Sequence, residues 1–282
     1  MLAAPNKDAA ALLARLRAGA APSEWSRVPV LRGADFAAEV EAHPPFGRYG
    51  VLADDLIRTG LATAALPRPT PIAWSRADLD REAALGARML RRAGLAPRGR
   101  SSDTLDGGLV APGTLAVTDA LDALDALALP IGPIVDPAGL KRAVEVWEIV
   151  RPDALIVDPA SLAFLRAADG YPRPRLFAAI LTPADAALLA APAEDDVMRI
   201  LSVPHVGTWI AGECPAHTGL HLADDIHAEI VDGRLVLTPL HRAIAPLRVD
   251  VELRGTIDPS PCACGDPSPR LVEGAAPSAP VA

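Results

Sequence analysis

The sequence predicts an α/β protein, a parallel sheet with flanking helices followed by a smaller antiparallel β unit. Three observations predict it. Short apolar runs alternate with amphipathic segments of helical period through the first two-thirds of the 282 residues. Further on, Asp232-Gly233 joins two strand-like runs, a strong signal for a two-residue hairpin. Finally, 29 Pro and 21 Gly punctuate the chain with turns.

Taken in order, the start "MLAAPNKDAAALLARLRAGAAP" sets Leu12, Leu13 and Leu16 among arginines. That is the pattern of a short amphipathic surface helix, and it lacks the basic start and long apolar run of a secretory leader. "IRTGLATAALPRPTPIAWSRADLDREA" (57–83) reads as a strand, a Thr/Pro-containing loop and a helix, with Gly60 its one glycine. The helix continues through "SRADLDREAALGARMLRRAGLAP": Ser75 N-caps it, Asp78 suits its positive end, and Gly94 closes it before Pro97. Leu79, Ala83, Gly86 and Leu90 mark its inner face. A helix is also expected over Val117–Ala128, with Leu121, Leu124 and Leu127 inward and Asp122 and Asp125 outward.

Three strand–helix pairs follow. They are "LPIGPIVD" with "LKRAVEVWEIV", "DALIVD" with "PASLAFLRAAD", and "RLFAAIL" with "PADAALLAA"; Pro159 suits a first helical turn. "IHAEIVDGRLVLTPL" is the hairpin, and "LRVDVEL" alternates with period 2 as a half-exposed strand. The expected organisation is an α/β body over 1–222, an antiparallel unit carrying a metal loop over 223–265, and a Pro/Ala/Ser-rich disordered tail over 266–282.

Composition limits the function. Half the residues are hydrophobic but only 4% are aromatic, so alanine, leucine and valine must fill the core. A net charge of −8 and no Lys/Arg run give no nucleic-acid footprint. No apolar run reaches the roughly 18 residues a membrane span needs. Three cysteines, an odd number, do not make a disulfide framework, and the expected location is the cytoplasm.

The positions of those cysteines carry more chemistry. "GECPAHTGLH" holds Cys214, His217 and His221 in one loop, and "PCACG" holds Cys262 and Cys264 in another. Tetrahedral zinc takes four N/S ligands, and two loops at one end of an antiparallel unit can supply them. Cys214, Cys262 and Cys264 are the expected ligands with His221 as the fourth and His217 its rival; the same residues also read as buried thiols with surface histidines. A site filled by four protein ligands fixes a fold and leaves no position for an activated water. His43, His227 and His241 read as solvated or core histidines, and no acid–base pair stands out.

In order, these pieces resemble the phenylacetate–CoA ligase family of adenylate-forming enzymes over roughly residues 25 to 265. "VPVLRGADFAAEVEAHPPFGRYGV" looks like the segment before that family's phosphate loop, and the 57–83 stretch sits where the loop and its following helix fall. "LKRAVEVWEIVRPDALIVDPASLAFL" is similar to a helix–strand–helix of the family. "GECPAHTGLHLADDIHAEIVD" matches its Glu-Cys and Gly-Leu-His loop, and "APLRVDVELRGTI" with "CACG" looks like its late strand and Cys-x-Cys-Gly turn. In some relatives the Cys/His set binds zinc, which supports Cys214, His221, Cys262 and Cys264.

The resemblance implies the large domain of an enzyme that joins a carboxylic acid to AMP with ATP and magnesium and then transfers the acyl group to coenzyme A. It also shows what is degenerate. Of the phosphate loop, Thr59, Gly60, Thr63 and Arg68-Pro69-Thr70 survive, while "LATAAL" offers no side-chain donors among its alanines and leucines. "RILSVPHVGTW" lacks the family's adenine-stacking aromatic and magnesium-binding acid at the expected distance before Glu213. Glu252 is the nearest substitute for the acid that grips the ribose, with Asp250 a weaker one, and both also read as exposed strand residues. The family's small C-terminal domain, with its lysine, is expected to be absent because the sequence stops soon after Cys264. No catalytic residue is assigned. The expectation is a relative without ordinary ligase activity, acting through a carboxylate, acyl or nucleotide-like ligand or a protein partner; the alternative is a divergent ligase completed by a separate chain. "TLDGGLVAPGT" falls where the family builds its acyl pocket and contains no aromatic to name a substrate.

Overall fold

The computed structural model describes residues 11, 13–16, 18–19, 25–49, 55–108 and 110–272. A 3₁₀ turn at Trp25–Arg27 precedes helix α1 (Gly33–Ala42) and strands β1 (Leu56–Ala62) and β2 (Thr70–Ser75). Helix α2 (Arg76–Arg92), β3 (Arg100–Asp103), β4 (Val110–Ala111), α3 (Thr114–Ala123) and β5 (Leu127–Pro130) come next. Then follow α4 (Pro137–Val150), β6 (Ala154–Val157), α5 (Pro159–Ala167), β7 (Leu176–Leu181) and the short α6 (Ala186–Leu189). The remainder is β8 (Val197–Val203), β9 (Gly207–Gly212), β10 (Leu220–Leu222), β11 (Ile226–Val231), β12 (Arg234–Pro239), β13 (Val249–Arg254), β14 (Thr256–Asp258) and β15 (Arg270–Val272).

Nine strands form the main sheet in the order β14-β15-β10-β9-β8-β7-β6-β3-β5. It is parallel from β5 to β8 and antiparallel from there to β14. Strands β6 and β7 are buried at every residue, so their alternation divides two cores and not core from solvent. Leu155, Val157, Phe177, Ala179 and Leu181 join the core that holds Trp147 of α4 and Leu165 of α5. Ala154, Ile156, Leu176, Ala178 and Ile180 join the one that holds Leu90 of α2 and Leu121 of α3.

Local chemistry sets the helix starts. Ser75 and Asp78 form a capping box at α2, and Asp158 accepts from Ala160 and Ser161 N–H groups at α5, where Pro159 fills the first turn. The hairpin β11–β12 turns through Asp232 and Gly233, both at positive φ, as the Asp-Gly pair predicts.

Three expectations need correction. α3 ends at Ala123, and Leu127 is on the edge strand β5, half-exposed and not inward. Asp125 at φ 59° turns the chain out of the helix. The antiparallel sheet β11-β12-β13 is no separate unit: Leu235, Leu237, Val249, Val251 and Leu253 share the core of α4 and α5. The expected tail from 266 contributes Arg270–Val272 as β15, which lies between β10 and β14. Residues 273–282 of that tail, and Leu12, lie outside the described residues.

Two buried positions give predictions. A methyl group on Gly86 would sit 2.5 Å from Ala120 Cβ and 2.5 Å from Trp209 Cε2, where α2 meets α3 and β9. Glycine to alanine in a helix usually stabilises by about 1 kcal/mol. Gly86→Ala should instead destabilise, by about 1–3 kcal/mol in denaturant unfolding, because overpacking outweighs propensity. Asp103, at the end of β3, accepts from Thr114 Oγ1 (3.1 Å) and the Leu105 N–H (3.3 Å). Burial pushes its carboxyl up to about 6 against those two bonds. The unfolded chain therefore ionises it first, and stability falls as pH rises from about 4 through about 6. Asp103→Asn, whose Oδ1 can still accept the Leu105 N–H while its amide N–H donates to Thr114 Oγ1 in the reverse sense, should gain stability on the order of 2 kcal/mol at pH 8 and little at pH 4.

Candidate functional site

The Cys/His residues meet at the antiparallel end of the main sheet, not beside β11–β13. Cys214 follows β9, His221 is on β10, and Cys262 and Cys264 lie in the connection from β14 to β15. One ligand atom from each of the four lies within 4.8 Å of the others. Cys214 and Cys262 Sγ are 3.8 Å apart, and Cys264 Sγ is 3.4 Å from His221 Nε2. With metal–sulfur bonds of ~2.3 Å and metal–nitrogen bonds of ~2.0 Å, a tetrahedron has S–S edges of ~3.8 Å and S–N edges of ~3.5 Å. The cluster has the donor set and the spacing to hold one thiophilic metal ion. His217 is outside it, at φ 48° in the intervening turn, with Nδ1 3.7 Å from Glu213.

The surroundings prepare the set. Fully buried Glu213, just before Cys214, ion-pairs Arg199 and accepts that residue's backbone N–H at 2.8 Å, which fixes the start of the loop. The Cys264 backbone N–H and Thr218 hold the Cys262 thiol down to about 6. Burial pushes the Cys214 thiol up to about 11, reinforced by its two cysteine neighbours. A metal ion bound among them would offset the repulsion that keeps Cys214 protonated and would favour its thiolate. His221 Nδ1 has no hydrogen-bond partner and lies 3.7 Å from Asp266 Oδ1, so a carboxylate faces the ring nitrogen opposite the ligating one.

A second site is a shallow cleft between β1, α2 and α3. Thr59 and Gly60 line it, with Gly108, Val110 and Pro112 of the "TLDGGLVAPGT" stretch; Thr63 and Glu252 are not among its lining residues. Thr63 is exposed on the β1–β2 turn. Glu252 is exposed on β13 at φ 61°, its N–H bonded to Asp250, which pairs with Arg234. The "RILSVPHVGTW" stretch makes the β8–β9 hairpin, where His205 is fully buried against Phe36. Burial, with Arg242 nearby, pulls its imidazole down to about 3, so it is neutral at physiological pH.

Sequence reading missed Glu82, Asp119 and Thr208 in the cleft. Arg58 Nη1 donates to Asp119 Oδ2 at 2.5 Å. Glu82 on α2 accepts from Trp74 Nε1 at 3.2 Å and lies 3.5 Å from Arg242. Its signal was present: a glutamate three residues past Leu79 and four before Gly86 falls on the helix's buried stripe.

Among solved structures the chain is similar to 2-hydroxyisobutyryl-CoA ligase in an open conformation with 2-HIB-AMP and CoA, at a TM-score of 0.76 and 22% identity over 88% of this chain. It is also similar to the AMP-forming acyl-CoA synthetase/AMP-acid ligase II-like protein from Dyadobacter fermentans DSM 18053, at 0.50 and 19% over 77% of this chain. A third is the amide bond synthetase McbA from Marinactinospora thermotolerans, at 0.54 and 14% over 81% of this chain. The chain spans 63%, 60% and 51% of these proteins respectively. No family model and no curated protein sequence matches it. The likenesses do not single out phenylacetate–CoA ligases; they show that the described chain has the fold of the corresponding part of AMP-forming acyl-CoA ligases.

Proposed function

We propose that this chain is an adenylate-forming ligase homologue of the phenylacetate–CoA ligase kind that binds a small carboxylate or acyl molecule in the β1–α2–α3 cleft without ordinary ligase activity. The observation that carries this reading is the state of the β1–β2 turn, where the resemblance puts the phosphate loop. A loop that grips β- and γ-phosphates needs free N–H and hydroxyl groups. Here β1 is paired on both sides, with β2 along its length and with β4 at Leu61 and Ala62. Thr59 donates its hydroxyl to the Ile72 carbonyl at 3.1 Å. The turn itself is packed on α1: a methyl on Gly33 would lie 2.0 Å from the Ala65 carbonyl oxygen, and Arg68 is paired with Glu41. The Thr59 hydroxyl and the Arg68 guanidinium are thus already engaged with protein and not free for a triphosphate, and losing one such stabilising contact typically costs on the order of 10²–10³ in rate.

The metal we assign to Cys214, His221, Cys262 and Cys264 is zinc in a structural role, since four protein ligands leave no open position for substrate. Three cysteines without a disulfide suit a reducing compartment, and we place the protein in the cytoplasm. Among the described residues no helix is long and apolar enough to cross a membrane.

Two measurements test these readings. ATP–pyrophosphate exchange with a panel of alkyl and aryl acids should stay at background for this chain alone; robust exchange would establish a divergent ligase instead, and exchange only with an added protein would identify a completing partner. Elemental analysis should find about one zinc per chain, with less than about half an equivalent counting against the site. Cys264→Ser should lose the metal and lower Tm on the order of 5–10 °C, while His217→Ala should keep the metal.

A further inference from the structure

Of the four residues in the Cys/His cluster, three are sealed and one is open. Cys214 and His221 are fully buried and Cys262 is 7% exposed, whereas Cys264 reaches solvent. The turn beside Cys264 leaves room: a methyl on Gly265, at φ 84°, would meet no atom within 4 Å. A solute approaching the cluster therefore meets Cys264 first.

Two more sulfurs stand behind it. Cys214 and Cys262 Sγ are 3.8 Å apart, and both lie within 4.8 Å of Cys264 Sγ. A disulfide needs ~2.05 Å between sulfurs, so closing the gap asks for a movement of side-chain size. Cys262 is engaged by Thr218 Oγ1 at 3.2 Å and shares a short turn with Cys264. Cys214 comes from a different segment, the one after β9, and approaches Cys264 from across the cluster. In a reducing compartment a disulfide between such thiols is transient, which is the setting of redox-sensing cysteines.

We propose that Cys264 is a site of oxidation by peroxides and that Cys214 resolves it, so that the cluster exchanges its metal for a disulfide. The Cys264 thiolate attacks one oxygen of hydrogen peroxide. An S–O bond forms, the O–O bond breaks, and the leaving hydroxide takes a proton from solvent to become water. The Cys214 thiolate then attacks the Cys264 sulfur: an S–S bond forms, the S–O bond breaks, and a second hydroxide leaves as water with a solvent proton. Two thiolates are oxidised and one peroxide is reduced to two waters. His221 and Cys262 remain, too few donors to retain the metal. The new bond ties the same two segments that the metal would tie, the end of β9 and the β14–β15 connection, so β15 stays in the sheet. The inference rests on the zinc reading of this cluster and adds to it a reversible release.

Treating the zinc-loaded full chain with hydrogen peroxide tests it, with a chromogenic chelator following zinc and peptide mapping locating disulfides. About one zinc should be released for each Cys214–Cys264 disulfide formed, and dithiothreitol with added zinc should restore the starting metal content. Brief labelling of the loaded chain with N-ethylmaleimide should modify Cys264 on the order of tenfold faster than Cys214 or Cys262. The oxidised chain should melt above the reduced chain stripped with EDTA, because a cross-link replaces the metal; oxidative damage alone would lower both. Zinc retained under peroxide, a disulfide that leaves Cys264 a free thiol, or oxidation that dithiothreitol does not reverse overturns this inference and leaves a structural zinc site. Absence of metal from the purified chain before any oxidant overturns both readings.

Discussion

Strands β6 and β7 are dry on both faces, and the rest of the molecule is arranged around that constraint. A strand buried on two sides needs a layer on each, and one layer cannot be water. Helices α2 and α3 cover one face and α4 and α5 the other, with the β11–β13 sheet joining the second. With only 4% aromatic residues, close approach substitutes for bulk: Gly86 lets α2 settle onto Ala120 and Trp209, and Trp147, Trp209, Phe36 and Phe177 are fully buried. The cleft is a by-product of the same layering, since it opens where the small β2-β1-β4 sheet departs from the α2–α3 layer.

The two candidate sites sit at different distances from solvent and differ in chemistry for that reason. Cys214, His221 and Cys262 are buried, and their loops are anchored by Glu213 with Arg199 and by Asp266 with Arg92. Only Cys264 of the four reaches solvent, so the cluster is mostly enclosed by protein, as suits a structural metal. The cleft retains a partly exposed ion pair, Arg58 with Asp119, at its edge and a fixed carboxylate at its base. Polarity at both ends with an apolar body between them is the pattern of a small-molecule site.

Much of the fold was legible because its signals are local. The Ser75 cap, Pro159 in a first turn, Asp232-Gly233 and the apolar runs of β6 and β7 all act within a few residues. The meeting of the Cys/His cluster was legible for a similar reason, since every cysteine lies in one of two short stretches. Where the reading failed, partners distant in sequence decided. Leu127 reads as helical by period, yet it pairs with Arg100 at the sheet edge. Residues 270–272 read as part of a low-complexity tail until β10 and β14 are seen on either side of them. Thr59 and Gly60 looked like loop residues because nothing local reveals that β1 has a neighbour on each side. Glu82 was hidden among many acidic residues, and only Trp74, Thr208 and Arg242 around it give it meaning.

The placement of β15 has a consequence for biosynthesis. It inserts between β10, some fifty residues earlier, and β14, so the sheet is not laid down in the order of translation. Until Arg270–Leu271 emerges from the ribosome, the outer side of β10 presents bare peptide groups to whatever else is nascent nearby. Closure of that margin by a late segment, clasped beside a Cys/His cluster, makes the last-synthesised part of the described chain the guardian of its most association-prone edge.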